Sequence, residues 1–234
     1  MRIDILTLFP DMFVPLNMSI IQRAQDKGVA EIHTHQLRQW GFDSHGNVDD
    51  SPYGGGPGMV MRVDVADKAI QAVQSTAISP QQKTRIILPT ADGKPFTQKD
   101  AERLSKYGRL IFLCPHYEGV DERIRDLVDE EISIGDYVVT GGELPAMVMT
   151  DAVVRLLPGA LGKEESTQEE SFSEVDTDGG KKRLLEYPHY TRPEVYKGKT
   201  VPKILLSGHH GEVAEWRKEE ALKRTKKRRP ELLR

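Results

Sequence analysis

Hydrophobic and polar positions follow two different periods along this chain, and the changes between them outline its elements. Residues 2–8 alternate and are rich in branched side chains, which predicts a buried strand at the start of the core. Residues 29–37 predict a second strand. Apolar positions at Val65, Ala69, Ile70 and Val73 have helical spacing across 63–75. Residues 84–88 and 109–114 are apolar throughout, as in strands of a parallel sheet covered on both faces. Helical patterns at 97–107 and 120–130 flank them, and another runs over 143–157. Strand and helix alternate to about residue 157, which predicts an α/β fold with helices on the faces of a mostly parallel sheet. Beyond Pro158-Gly159 the pattern changes. Residues 160–183 are acidic and polar and read as a linker or mobile loop. A dense turn at 187–193 and an amphipathic helix at 212–224, around Trp216, predict a small, largely helical C-terminal domain. The expected boundaries are 1–160, 161–184 and 185–234.

Composition narrows the class. A chain of 234 residues, 38% hydrophobic and 29% charged, is ordinary for a soluble globular protein. No apolar run approaches a membrane span, and the N-terminus enters a strand directly, so a cytoplasmic protein is expected. The single cysteine, Cys114, excludes an internal disulfide and a multi-cysteine zinc site; its apolar surroundings predict a buried thiol. His33 and His35 share a strand face without an evident third ligand, and no metal ligands are assigned. The net charge of −3 argues against a surface that binds nucleic acid everywhere, yet the charge is uneven. Residues 163–178 hold seven acids and one lysine, whereas 215–234 hold nine Lys/Arg and four acids. The basic segment suits either a localised phosphate contact or a solvated helix end.

The candidate chemistry lies in glycine-rich loops. Residues 134–143 hold three glycines and two acids in ten positions, just before a predicted helix. Such a run offers backbone N–H and C=O groups to a small polar ligand. Gly-x-Gly-x-x-Gly after the first strand is absent, as is Gly-x-x-x-x-Gly-Lys-Ser/Thr, so neither common nucleotide fingerprint applies. Loops at 89–93, 115–119 and 134–143 follow late strands, where α/β sheets bind ligands, and are expected to converge on one pocket. A further loop at 48–59 is far richer in glycine and proline than a turn requires.

Four motifs make the expectation specific. Val48-Asp49-Asp50-x-Pro52-Tyr53-Gly54-Gly55-Gly56-Pro57-Gly58-Met59, His116-Tyr117-Glu118-Gly119-x-Asp121-Glu122-Arg123, Ser133-Ile134-Gly135-Asp136-Tyr137-Val138 and Pro188-His189-Tyr190-Thr191-Arg192-Pro193 together resemble the bacterial tRNA (guanine-N1)-methyltransferases. The resemblance covers almost the whole chain. It implies a SPOUT fold with a deep trefoil knot, which periodicity would not reveal. It also implies a homodimer that uses S-adenosylmethionine to methylate the guanine 3′ to the anticodon, position 37 of tRNA. The methyl donor is expected in a bent form, held mainly by main chain at Leu88, Pro89, Thr90, Ala91, Pro115, Glu118, Ser133, Ile134, Gly135, Asp136, Tyr137, Val138 and Val139, with Gly141, Gly142 and Pro145 shaping the wall. Pro115 stands where the family usually has glycine, which removes one N–H.

Guanine N1 carries a proton, so its methylation needs a general base, and the charge spreading to O6 needs a nearby cation or donor. By the resemblance, Arg155 matches the family arginine and Glu170 stands at the family aspartate, supplied across the dimer interface. Glu169 is the reserve base. Asp50, Tyr53, Gly55 and Gly56 are expected on the target base, Arg192, Lys226 and Arg228 on the RNA, and His189 either on the RNA or in interface packing. Magnesium is implied for turnover. A SPOUT enzyme for another RNA position, or a non-catalytic RNA-binding relative, would share these motifs.

Overall fold

The protein is described by a computed structural model over residues 1–76, 83–161, 170–177 and 180–234. It divides into two compact units, Met1–Gly162 and Lys163–Arg234. In the first unit β1 (Arg2–Thr7), α1 (Ser19–Asp26), β2 (Glu31–Gln36), β3 (Asp49–Asp50), β4 (Val60–Met61), α2 (Val63–Gln74), β5 (Thr84–Pro95), α3 (Gln98–Leu104), β6 (Arg109–Leu113), β7 (Glu130–Ser133) and α4 (Glu143–Val154) follow one another. Five strands form one sheet in the order β2-β1-β6-β5-β7, with every neighbour parallel. This is the α/β architecture with a parallel central sheet expected of a SPOUT fold.

Alternation within the strands divides the core. Ile3, Ile5, Leu110, Phe112 and Ile132 face one side, where Ala24 of α1, Leu104 of α3 and Met149 and Val153 of α4 cover them. Leu6, Ile86, Leu88, Ile111 and Leu113 face the other, against Val65, Ala69 and Ile70 of α2. Because β6, β5 and β7 are neighbours, the segments leaving their carboxyl ends emerge side by side. That adjacency creates the site.

Three elements differ from the sequence expectation. The helix expected at 120–130 is only a 3-10 turn, Glu122–Leu127, opened by the Asp121 carboxylate accepting the Arg123 N–H at 2.9 Å. The edge strand β7 follows it, paired to β5, and this pairing overrides a weak local pattern. β5 also runs beyond residue 88 to Pro95. Pro89 and Lys94 both lie opposite Ile132, so the chain bulges out between them and returns to the same place. Gly93 makes the return feasible: a Cβ there would stand 2.6 Å from the Ile132 amide nitrogen.

The second unit is less purely helical than its sequence suggests. Antiparallel pairs β8 (Glu174–Thr177) with β9 (Gly180–Arg183), and β10 (Val195–Tyr196) with β11 (Lys199–Thr200), precede α5 (His210–Arg228). The first pair falls in the span expected to be a linker. Its acidic strand faces a basic one, Glu174 opposite Arg183 and Asp176 opposite Lys181, which favours the pairing. The buried Thr225 hydroxyl ties α5 to the segment after β9, accepting the Leu185 N–H at 2.8 Å and donating to the Ala221 carbonyl.

Candidate functional site

A cleft of about 230 Å³ opens beyond the carboxyl ends of β6 and β7 and against the mid-strand excursion of β5. Three segments line it: Pro89, Thr90 and Ala91; Pro115 to Gly119; and Ile132 to Gly135 with Tyr137 to Gly142 and Pro145. Glycines are required here by the protein's own packing. A Cβ on Gly142 would meet the Pro115 ring at 2.5 Å and the Cys114 Cα at 2.8 Å. On Gly141 it would lie 2.4 Å from the Glu143 carboxylate and 2.5 Å from His116 Nδ1. Gly135, at φ +143°, leaves room for the Tyr137 ring to fold back over it. The Pro115 carbonyl accepts the Gly142 N–H at 2.8 Å, so it fastens two walls of the cleft together. Tyr117 adopts φ +65°, uncommon for a bulky side chain and concentrated at functional sites.

Among the described residues the one carboxylate lining the cleft is Glu118, which is exposed. Glu143, 1% exposed, lies just behind the Gly141 wall at the start of α4. Its Oε1 accepts the Thr7 hydroxyl at 2.8 Å, and Thr7 Oγ1 accepts the Phe9 N–H at 2.9 Å. Helix N-termini favour such an acid. Burial, and then the Glu143 charge, push the Cys114 thiol well above its ordinary value, so this thiol is inert packing. Negative groups at and behind the wall make the cleft suited to a cationic ligand.

A second groove adjoins the first, lined by Asp50, Ser51, Pro52, Tyr53, β4 and Val120 to Arg123. Its glycine loop is fastened to the first cleft. The Glu118 N–H donates to the Met59 carbonyl at 3.1 Å and the Met61 N–H to the Gly119 carbonyl at 3.0 Å. Gly58, at φ +80°, leaves space that the Glu118 side chain fills. Arg62 is held by Asp64 through two bonds of 3.0 Å and sits 4.0 Å over the Phe42 ring; from there it donates to Asp50 at 3.1 Å.

Known proteins of the same type share this chain end to end. The sequence profile described as tRNA (Guanine-1)-methyltransferase TrmD matches residues 1–234. The chain belongs to that family. A tRNA (guanine-N(1)-)-methyltransferase of Chloroflexus aggregans is 55% identical over all of this chain and 88% of its own length. Those of Citrifermentans bemidjiense and Streptococcus pyogenes serotype M1 are 54% and 52% identical, each over all of this chain and 90% of their own.

Of the positions that the TrmD family resemblance assigns to the methyl donor, all but Leu88 and Asp136 line the first cleft. Leu88 is buried beneath it in the core shared with α2. His116, Tyr117, Gly119 and Thr140, all within the loops expected to converge, and Ile132, outside them, also line it without an assigned contact to the methyl donor. Asp50 and Tyr53 line the second groove, with Tyr53 fully exposed, and Gly55 and Gly56 take φ +79° and +127° in its loop. Arg155 is half-buried and closes the end of α4, its N–H on the Asp151 carbonyl at 3.2 Å. Glu170 belongs to the second unit, where it lines a small cavity with Ser173, Val175 and Tyr187. Its reserve, Glu169, lies outside the described residues. His189 is exposed, paired with Glu186 at 2.8 Å; Arg192, Lys226 and Arg228 are exposed too. His35 is engaged by Asp4 at 2.8 Å. Among the described residues no group of three His, Cys, Asp or Glu side chains is arranged to hold a metal ion, and no helix is long and apolar enough to cross a membrane.

Proposed function

We propose that the protein transfers a methyl group from S-adenosylmethionine to N1 of the guanine at tRNA position 37, as a cytoplasmic homodimer. The observation that carries this reading is the cleft: the β5 excursion and the loops after β6 and β7, walled by glycine backbone, with one carboxylate facing in and a second behind. That donor set fits a cationic, hydrogen-bonding ligand, and the donor's chemical contribution is an electrophilic methyl on a sulfonium. Thr90, Ile134 and Tyr137 to Val139 supply main-chain contacts, Glu118 a charged one, and the knotted chain path implied by the SPOUT resemblance keeps the walls rigid. Glu170 takes the N1 proton and Arg155 stabilises the charge developing on O6. Asp50 and Tyr53 hold the splayed base, and α5 holds phosphates. Support for a second copy comes from apolar side chains left exposed, Val14 and Met18 between β1 and α1 and Leu144 and Val148 on α4. Chelation in the same assay tests the magnesium requirement that the resemblance implies.

The decisive assay incubates the protein with methyl-labelled S-adenosylmethionine and tRNA transcripts carrying guanine or adenine at position 37. Label is expected in the guanine transcript alone, as N1-methylguanosine. Label retained in the adenine transcript means another RNA position is the target, and label in neither means an RNA-binding relative without this activity.

A further inference from the structure

One buried polar atom beside the cleft stands unpaired. His116 Nδ1 is buried and has no hydrogen-bond partner, yet it faces a carboxylate: Glu143 Oε2 lies 3.7 Å away. That separation is too long for a hydrogen bond and too short for indifference. The ring is otherwise well seated, tilted against Phe9 at 4.9 Å and edge-on to Tyr117 at 5.4 Å. Glu143 is in turn held through Oε1 by Thr7, across 136 positions of sequence, and its own burial leaves little room to move. The His116 side chain keeps 24% of its surface open, and that opening does not lie at Nδ1. Nε2 is therefore the nitrogen offered to the cleft.

We propose that His116 is a methyl-donor-binding residue, oriented by Glu143 acting as a positioning residue. A carboxylate can only accept, so Nδ1 carries the hydrogen that points at Oε2. In the neutral ring this leaves the Nε2 lone pair in the cleft, an acceptor for an ammonium or hydroxyl of the bound donor. Closing the cleft around its ligand shortens the Nδ1–Oε2 contact into a hydrogen bond, as contacts in empty sites commonly tighten on binding. Gly141 belongs to the same device, since any side chain there would occupy the space between the two groups.

This inference rests on the cleft being the S-adenosylmethionine site, and the test separates the two. Binding of S-adenosylmethionine is measured by calorimetry for the wild type, His116→Phe, Glu143→Gln and the double variant, with melting temperatures as the control for folding. Phenylalanine keeps the ring contacts and removes both nitrogens. Each single change is expected to weaken binding about tenfold, the size of one well-formed hydrogen bond. The double variant should be no weaker than His116→Phe, because both changes remove one coupled contact. Wild-type affinity in His116→Phe overturns the inference, as do losses that multiply in the double variant. A wild type that does not bind the donor overturns the reading of the cleft instead. Should Glu143→Gln fail to fold, imidazole nitrogen NMR of the wild type decides. With donor bound, Nδ1 should be protonated and hydrogen-bonded and Nε2 unprotonated; the opposite tautomer overturns the assignment.

Discussion

Asp4, on β1 and with no exposed surface, gathers the side chains of Arg2, Arg109 and His35 around its carboxylate. Its Oδ1 meets His35 at 2.8 Å and Arg2 at 2.9 Å, and its Oδ2 meets Arg109 at 2.7 Å and Arg2 at 2.9 Å. Arg109 reaches onward to the Val73 and Thr76 carbonyls, closing the end of α2. Burial pushes the Asp4 carboxyl up, but hydrogen bonds from His35, Arg2 and Arg109 outweigh it and hold the group well below the usual carboxylate range. A depressed carboxyl contributes stability that is complete above its unfolded value, near 3.8, and is lost as pH falls through the folded one. Asp4→Asn is expected to cost about 3–5 kcal/mol at neutral pH, the usual penalty for breaking a buried pair. The gap from wild type should narrow in urea titrations below the unfolded value. A gap that stays constant with acidity would show that Asp4 acts through shape alone. Gly142 carries a different penalty. Alanine there drives a methyl into the Pro115 ring and the Cys114 backbone, so Gly142→Ala should lower the melting temperature and donor affinity together.

The excursion of β5 between Pro89 and Lys94 is the element on which the cleft depends most directly. Gly93 is its hinge against β7, and alanine there has to push the Thr90–Ala91 wall away from Ile132. Donor affinity and melting temperature are both expected to fall, because the added methyl meets strand backbone rather than the end of a flexible side chain. Unchanged calorimetric binding in Gly93→Ala would mean that the excursion adapts freely. This element also marks the limit of what the pattern of side chains discloses. β1, β6, α2 and α4 bury continuous apolar runs or stripes, so local sequence was enough to place them. β7 is four residues long with two acids, and it exists because β5 offers it an edge. Gly93 and the extension of β5 to Pro95 are likewise consequences of pairing. The glycines at 141 and 142 were legible as important but not for their reason: they make room for His116, Glu143 and Pro115 rather than simply for a ligand. Motif resemblance located the cleft because it carries long-range information that periodicity lacks.

For the whole molecule, charge is divided by task. The first unit by itself builds the cleft proposed for the cationic donor, with carboxylates at and behind its wall. The second unit carries Lys226, Lys227 and Arg228 in the last turn of α5, all three exposed. A chain with net charge −3 can attract tRNA only where cations are concentrated, and that end of α5 is such a place. Replacing Lys226 and Arg228 together by glutamine removes two candidate phosphate contacts without touching either core. Each lost contact should reduce the steepness of the salt dependence by roughly 0.7–0.9 in a plot of log affinity against log salt, so the pair should reduce it by about 1.5. tRNA affinity should fall at low salt and converge with wild type at high salt. Affinity for S-adenosylmethionine alone should not change, because every lining residue of its proposed cleft lies in the first unit. A slope equal to wild type would assign the basic turn to solvation. A loss that persists equally at all salt concentrations would instead mean that the two side chains read shape or base rather than phosphate.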